Sequence, residues 1–184
     1  MSESSIYTAR LELLLVDASH AQGIFELESD PNVVQYFGQS PMQKLEDAFK
    51  WIEQRQRGLD NGALMAWSVF EKEQGRLIGS CSVYARNQSF RSAMCGYELS
   101  PDVWGRGFMS EAVSSMLSFG FSSLQLNRVG AGTATENLRS VKFLERLGFV
   151  REGVMRQYWY ANGAFHDAYS YSLLAEDWRA QKNV

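Results

Sequence analysis

The sequence predicts a mixed α+β domain in which helices lie on a central sheet in three layers. Its 184 residues suit one domain, and no linker, repeat or low-complexity stretch divides them, so we expect a single domain over residues 1–184. Segments with strand character and segments with helical periodicity follow one another along the chain. Helices come early, a meander of strands lies in the middle, and a strand–helix–strand crossover precedes a closing hairpin.

The first half of the chain predicts one strand, two helices and a group of further strands. Residues 7–16 have strand character, and Asp17 offers a carboxylate that can cap a helix running to about Glu28. The run Ser40-Pro41-Met42-Gln43 has the pattern of a capping box and predicts a second helix that ends near Gly58. Further strands are predicted at residues 63–71, 76–85 and 92–99.

The clearest helix begins near residue 108. Its apolar residues recur at intervals of three and four, which is typical of a helix that lies on a sheet. They are Met109, Ala112, Val113, Met116, Leu117, Gly120 and Leu124. A strand at residues 128–135, a short helix at 137–147 and two strands around 150–160 and 164–174 follow. Asn162-Gly163 predicts a tight hairpin turn between these last two strands.

The composition excludes several classes of function. With 18 Lys and Arg against 21 Asp and Glu, the net charge is −3, and no block of positive charge favours a nucleic-acid partner. Cys81 and Cys95 lack the spacing of paired ligands and there are only two histidines, so we expect no metal site. No apolar run approaches the roughly 20 residues of a membrane span, and no secretory signal pattern is found at the start. We therefore expect a cytoplasmic protein that does not bind membranes.

The most informative segment is Trp104-Gly105-Arg106-Gly107-Phe108-Met109, between a predicted strand and the clearest helix. Its two glycines allow backbone N–H groups to turn inward, and the first turn of the helix adds free N–H groups and the positive end of its dipole. Together these groups form an anion cradle suited to a pyrophosphate, to which Arg106 can add a charge-assisted hydrogen bond. A glycine turn that only starts a helix is the alternative interpretation.

A second strand-to-helix junction carries Asn137 and Ser140. Asn137 is a natural N-cap and Ser140 lies one turn inside the helix, so capping alone can explain this pattern. Gly130 and Gly132 in the preceding strand favour a binding role in addition to capping, because glycine in a strand often marks the close approach of a ligand or a second backbone.

Six motifs, taken in order, resemble the GNAT superfamily of N-acetyltransferases. Within it, the chain looks most like the branch of the ribosomal-protein-alanine and -serine N-acetyltransferases, and the likeness covers about residues 8–178. The motifs are Thr8-Ala9-Arg10-Leu11-Glu12-Leu13, Gly96-Tyr97-Glu98-Leu99, Trp104-Gly105-Arg106-Gly107, Glu111-Ala112, the run from Asn137 to Ser140, and Leu147-Gly148-Phe149 with Glu152-Gly153.

The resemblance implies a mixed, mostly antiparallel sheet with helices on both faces and a gap between its fourth and fifth strands, at residues 92–99 and 128–135. Acetyl-CoA, the implied co-substrate, sits in that gap, and no metal takes part. The implied cofactor-binding residues are Leu99, Trp104, Gly105, Arg106, Gly107, Phe108, Met109, Asn137 and Ser140. In the family, the glycine loop binds the pyrophosphate through its amides, and Asn137 matches a residue that contacts the pantetheine arm.

Three positions depart from the broad family pattern. Trp104 stands where glutamine or arginine is common, although tryptophan is usual in this branch, and Met109 is bulkier than the common alanine. Neither change removes a backbone donor. Leu144 stands where other members carry a catalytic tyrosine, which leaves the role of acid to Ser140 or to water.

The implied reaction is the direct attack of a primary amine on a thioester. The protein must take a proton from the ammonium group and return one to the departing thiolate. We assign the first role to Glu98, and the resemblance assigns the second to Ser140. A purely structural Glu98 is the alternative, since side chains alternate along a strand and Glu98 faces the gap only if register or a bulge permits. Tyr97 is expected in the core rather than in catalysis.

The acceptor is left open by the sequence. In the family, the early helices and the last hairpin wall the acceptor site, so Phe37, Tyr158 and Trp159 are candidate substrate-binding residues. A protein N-terminal α-amine, such as that of a ribosomal protein, is the leading acceptor. Alternatives are a small-molecule amine (amino sugar, polyamine, amino acid or antibiotic) and a non-catalytic acyl-CoA-binding module. The chain is expected to be a monomer or a homodimer.

Overall fold

The computed structural model describes residues 4–161 and 163–182, and these residues fold into one sheet flanked by helices. The strands are β1 (Ile6–Tyr7), β2 (Leu11–Leu15), β3 (Met65–Glu71), β4 (Arg76–Asn87), β5 (Ser92–Leu99), β6 (Arg128–Ala134), β7 (Val150–Ala161) and β8 (Ala164–Leu174). The helices are α1 (Ala21–Glu28), α2 (Pro31–Val34), α3 (Leu45–Asp60), α4 (Phe108–Ser122), α5 (Leu138–Arg146) and α6 (Ala175–Lys182). Short 3₁₀ turns occupy Ala18–His20 and Pro101–Val103.

The sheet has the order β1-β2-β3-β4-β5-β6-β8-β7. Among these described strands, β5 and β6 are parallel, while every other neighbouring pair is antiparallel. This agrees with the predicted mixed, mostly antiparallel sheet. The hairpin of β7 and β8 is found as predicted, although Asn162 of its turn lies outside the described residues. Within the described residues, no helix is long and apolar enough to cross a membrane.

Two layers of helices bury opposite faces of the sheet. On one face, α4 places the predicted stripe as far as Gly120 against the strands, and Ala112, Val113, Met116 and Leu117 are fully buried. Leu124, the last residue of the predicted stripe, lies beyond the end of α4 and is partly buried. On the other face, α1 and α3 form a separate cluster that includes Ile24, Ala48 and Ile52. The central strand β3 is buried on both sides, as expected for a strand inside a three-layer domain.

Two predicted boundaries are wrong, and local hydrogen bonds explain both. The first strand is divided, because residues 8–10 turn between β1 and β2. The run at residues 40–43 does not begin a helix, since α3 starts at Leu45 after Lys44, whose side chain makes no capping bond. Instead, the Met42 N–H donates to the carbonyl of Glu28 at 3.0 Å, which ties this segment to the end of α1.

The gap that positions the site lies between β5 and β6. These strands pair at Ser92–Arg128, Ala93–Val129 and Met94–Gly130, and their described pairing stops there. They are the fourth and fifth strands of the sequence prediction, because the short β1 adds one to the count. The remainder of β5, from Cys95 to Leu99, is therefore free of β6 on that side.

Candidate active site

A cavity of about 770 Å³ opens at the gap between β5 and β6. This volume lies within the ~300–1,000 Å³ of typical small-molecule sites. Its walls come from the glycine loop before α4, the start of α5, the end of α1, and the hairpin of β7 and β8. The gap thus brings together four segments that are far apart in the sequence.

Residues from both faces of the sheet line the cavity, and adjacent residues of β5 reach it from opposite sides. Tyr97 is opposite Cys81 and packs its ring 4.7 Å from that of Phe143 in α5. Glu98 is opposite Ser80 and lies on the face of α1 and α3. The pairing here is regular, with its irregularity further back in β4. Glu98 therefore reaches the cavity without a bulge, because the missing neighbour strand exposes both sides of β5.

The glycine loop has the backbone that its sequence predicts. Gly105 and Gly107 have φ angles of 77° and 80°, in the left-handed region that favours glycine. Gly107 is the N-cap of α4 and, having no side chain, leaves the first N–H groups of that helix uncapped by a side chain. Gly105, Gly107, Phe108 and Met109 all line the cavity. Uncapped amides at a helix N-terminus on a cavity wall are suited to a phosphate group.

Arg106 of this loop and Arg139 of α5 have different surroundings. Arg106 does not line the cavity, since its Nη2 lies 3.3 Å from Oε1 of the buried Glu71. Arg139 does line it, with its guanidinium carbon 3.5 Å from the ring centre of Trp104. The Trp104 indole in turn donates to the carbonyl of Leu99 at 2.8 Å. Arg139, which the sequence analysis did not select, thus places a positive charge on the cavity wall beside the glycine loop.

The loop is held from behind by the turn between β1 and β2. Arg10 Nη1 donates to the carbonyl of Arg106 at 3.0 Å, and Arg10 Nε donates to Glu111 Oε2 at 2.7 Å. The other Glu111 oxygen accepts from the Thr8 hydroxyl at 2.5 Å and from the Arg10 N–H at 2.9 Å. Burial alone would raise the pKa of Glu111, but these hydrogen bonds outweigh it, and the pKa is lowered. Glu111 therefore has a structural role, as its position in the first turn of α4 predicts.

Tyr97 and Ser140 form a hydroxyl pair on the α5 side of the cavity, with their oxygens 2.8 Å apart. The Ser140 N–H donates to Asn137 Oδ1 at 3.1 Å, so Asn137 caps α5 and also lines the cavity. Burial raises the pKa of Tyr97, which keeps its hydroxyl protonated at neutral pH. The expectation that Tyr97 belongs only to the core is therefore incomplete. Leu144, by contrast, is fully buried.

On the opposite side, Glu98 belongs to a cluster with Glu28 and Arg55. Its carboxyl group accepts a hydrogen bond from the Ser80 hydroxyl and is hydrogen-bonded to the carboxyl group of Glu28. Burial raises the pKa of Glu98, opposed by the Ser80 hydrogen bond and the positive charge of Arg55. Burial, followed by the charge of Glu98, raises the pKa of Glu28 to about 9. These groups all line the cavity.

The predicted acceptor residues Phe37, Tyr158 and Trp159 all line the same cavity. A register shift in β7 between Met155 and Trp159 includes Gln157, whose φ is 49°. The Gln157 N–H donates to the carboxylate of Asp167 at 2.8 Å, so Asp167 holds the backbone of the shifted segment. The buried Trp159 Nε1 has no hydrogen-bond partner among the described residues.

The sequence analysis did not select Glu28, Arg55 or Arg139 as site residues. Glu28 could have been selected from the sequence, because it is a carboxylate on the apolar face of α1 beside Leu27. Both cysteines are buried, and burial raises the pKa of Cys95 to about 12, so it remains a thiol. No group of three or more metal-ligating side chains is found in residues 4–161 and 163–182.

Comparisons with known proteins agree with this geometry. The model of the acetyltransferase (GNAT) domain matches residues 10–150. Over 173 residues the chain is 36% identical to YoaA of Bacillus subtilis, an uncharacterized N-acetyltransferase, covering 91% of this chain and 94% of YoaA. Over 119 residues it is 28% identical to the ribosomal protein uS5-alanine N-acetyltransferase of Escherichia coli, covering 64% of this chain and 61% of that protein.

A solved structure has the same fold. The spermidine N-acetyltransferase of Vibrio cholerae, in complex with CoA and spermine, superposes with a TM-score of 0.83 at 24% identity, covering 94% of this chain and 99% of that one. Since the family model spans most of the chain, and YoaA is similar over nearly its full length, the chain belongs to the GNAT family and is an N-acetyltransferase of the GNAT type.

Proposed function

We propose that this protein transfers the acetyl group of acetyl-CoA to a primary amine by direct attack in a ternary complex. The observation that carries the proposal is the cavity in the gap, which has a carboxyl group on one face of the sheet and a hydroxyl pair on the other. Such a site has room for two substrates that meet between the strands, with a proton acceptor on one side and a proton donor on the other.

The glycine loop and the start of α4 are the proposed site for the diphosphate of acetyl-CoA. Left-handed glycines, uncapped amides and the nearby Arg139 all favour an anion there. The unpaired edge of β5, from Cys95 to Leu99, offers backbone groups to the pantetheine arm. A structure of the same fold that holds CoA supports this assignment.

The proposed proton transfers follow from the two sides of β5. Glu98 takes a proton from the ammonium group of the acceptor, directly or through water, and the free amine then forms a bond to the thioester carbon. As the carbon–sulfur bond breaks, the Ser140–Tyr97 pair donates a proton to the departing sulfur, and the nitrogen that is now bonded to the acetyl carbon gives up its second proton to water. The pair regains a proton from solvent, and Glu98 releases its own. Acetyl-CoA and the amine thus yield CoA and the acetylated amine.

For the acceptor, we propose a protein N-terminal α-amine, such as that of a ribosomal protein, reached in the cytoplasm. Similarity to the uS5-alanine enzyme supports this choice. The cavity mouth, with its exposed Phe37 and Tyr158, offers apolar surface to the residues that follow a terminal amine. A polyamine is the second candidate, because the fold is shared with a spermidine enzyme and the carboxyl group of Glu98 on the cavity wall suits a cation.

The test measures CoA release and product mass with acetyl-CoA and two sets of acceptors, peptides with N-terminal Ala or Ser and a panel of small amines. We expect turnover with peptides, and loss of that turnover in Glu98→Gln. Turnover with small amines alone would reject the protein acceptor. Calorimetric binding of acetyl-CoA without turnover of any acceptor would instead favour a non-catalytic module, and absence of binding would reject the proposal altogether.

A further inference from the structure

Glu28, the last residue of α1, is a buried carboxyl group that the reaction above does not use. It is 1% exposed, and a carboxylate in such a place is costly unless it is paired or protonated. Its Oε2 accepts a hydrogen bond from Gln39 Nε2 at 3.1 Å, and its carboxyl group is hydrogen-bonded to that of Glu98. Two carboxyl groups in this contact need a proton between them.

The charges around the pair indicate how many protons it holds. Arg55, from α3, is the cation that faces both carboxyl groups, and its guanidinium carbon lies 3.2 Å from the ring centre of Trp51. Ser80, from β4, and Gln39, from the loop before α3, contribute neutral donors. The Cys81 thiol next to Ser80 stays neutral, because burial raises its pKa. With one proton on the pair, one negative charge remains to balance Arg55.

The hydrogen bonds also indicate which carboxyl group carries that proton. Burial raises the pKa of Glu98, but the hydrogen bond from the Ser80 hydroxyl, the charge of Arg55 and the hydrogen bond with Glu28 all favour its ionised form. Glu28 accepts from the neutral amide of Gln39, and its hydrogen bond with the carboxyl group of Glu98 raises its pKa. The uncharged form is therefore favoured at Glu28, with its proton directed to Glu98.

We propose that Glu28 is a positioning residue that acts as a neutral carboxylic acid, donating a hydrogen bond to Glu98 and keeping Glu98 the ionised, proton-accepting member of the pair. This role rests on the proposed function of Glu98. When Glu98 takes the proton of the substrate ammonium group, both carboxyl groups are neutral. The extra proton then leaves to solvent after the product. At high pH, Glu28 loses its own proton, and two like charges face each other.

The kinetic test compares Glu28→Ala, Glu28→Gln and the matched control Glu26→Gln, which lies on the exposed side of the same helix. Glu28→Ala is expected to lower kcat at neutral pH, and Glu28→Gln to restore most of it, because an amide donates to Glu98 as the acid does. Between pH 8 and 10, the ratio of kcat/KM for Glu28→Gln to that of the wild type should rise about tenfold, since the amide has no proton to lose. Glu26→Gln should follow the wild type throughout.

Parallel pH profiles for Glu28→Gln and the wild type would overturn the proposal. So would a Glu28→Gln variant as inactive at neutral pH as Glu98→Gln. A purely structural Glu28 would change yield or stability, but would not change the shape of the pH profile.

A second measurement separates this inference from the proposed function. Carbon-13 NMR of labelled glutamate carboxyl groups, on the protein without substrates, should show one group titrating near pH 9 that disappears in Glu28→Gln. If every carboxyl group titrates below pH 6, the proton pair is wrong, whatever the enzyme acetylates. If the titration is found but no amine is acetylated, the proposed function and the positioning role both fail while the proton pair stands.

Discussion

Replacing Glu28 with glutamine should change how stability depends on pH. In the folded protein, the pKa of Glu28 is raised to about 9 from its ordinary value of 4.5, chiefly by burial. Between these two values the native state holds one proton more than the unfolded state. This contribution to stability is fully present below pH 4.5 and is lost as the pH rises through 9.

The size of the effect follows from one retained proton. Each pH unit inside this window lowers the free energy of unfolding by about 1.4 kcal/mol, or about 3 kcal/mol between pH 6 and 8. This is a large share of the ~5–15 kcal/mol that stabilises a typical domain. Glutamine keeps the shape and a donor for Glu98 but cannot ionise, so Glu28→Gln should lose this slope and become relatively more stable at pH 8.

Urea denaturation at pH 6, 7 and 8 measures this directly, followed by circular dichroism. Other groups also titrate in this range, so the informative quantity is the difference in slope between the wild type and Glu28→Gln. Glu26→Gln, on the exposed side of α1, should retain the wild-type slope. Equal slopes for the wild type and Glu28→Gln would refute the reasoning, because they would mean that Glu28 is already ionised in the folded protein.

Three further changes test other parts of the site. Gly107→Ala places a side chain at a φ of 80°, so it should cost about 1–2 kcal/mol in thermal denaturation and weaken acetyl-CoA binding in calorimetry; unchanged binding would remove the loop from the diphosphate site. Tyr97→Phe removes the hydroxyl partner of Ser140 and should lower kcat on the order of 10²-fold with little change in KM for the amine, whereas wild-type kcat would show that Ser140 or water acts alone. Arg139→Ala should raise KM for acetyl-CoA about tenfold, and less so at high salt, because a charge-assisted hydrogen bond contributes about 1.5 kcal/mol. Arg106→Ala is its matched control and should change this KM less, since Arg106 pairs with Glu71; the opposite ranking would return the phosphate contact to Arg106.

The regular parts of the fold could be predicted because their signals are local. The limits of β5 agree with the sequence prediction, and α4 buries the stripe that its periodicity predicts, except for Leu124 beyond its end. The helix start predicted at residues 40–43 is wrong because the Met42 N–H is bonded to the carbonyl of Glu28. Local capping rules do not include such a contact between segments. The short helix α2 and the terminal helix α6 carry few apolar residues in a periodic pattern and were not predicted.

The glycine loop could be recognised because its function depends on backbone shape. Left-handed φ angles at Gly105 and Gly107 follow from residue type and spacing. Side-chain partnerships could not be predicted in this way. The contact between Glu28 and Glu98 joins positions 70 residues apart, and the orientation of Arg106 depends on the buried Glu71, which lies in another strand. Such pairs are set by tertiary packing, which one sequence does not reveal.

The break in the sheet also has a consequence for inhibitor design. If the thiol ester and the amine approach from opposite faces, a compound that joins CoA to an acceptor through one acetyl bridge must thread between two strands rather than lie along one surface. The CoA half and the acceptor half of such a compound would gain affinity from separate walls of the cavity.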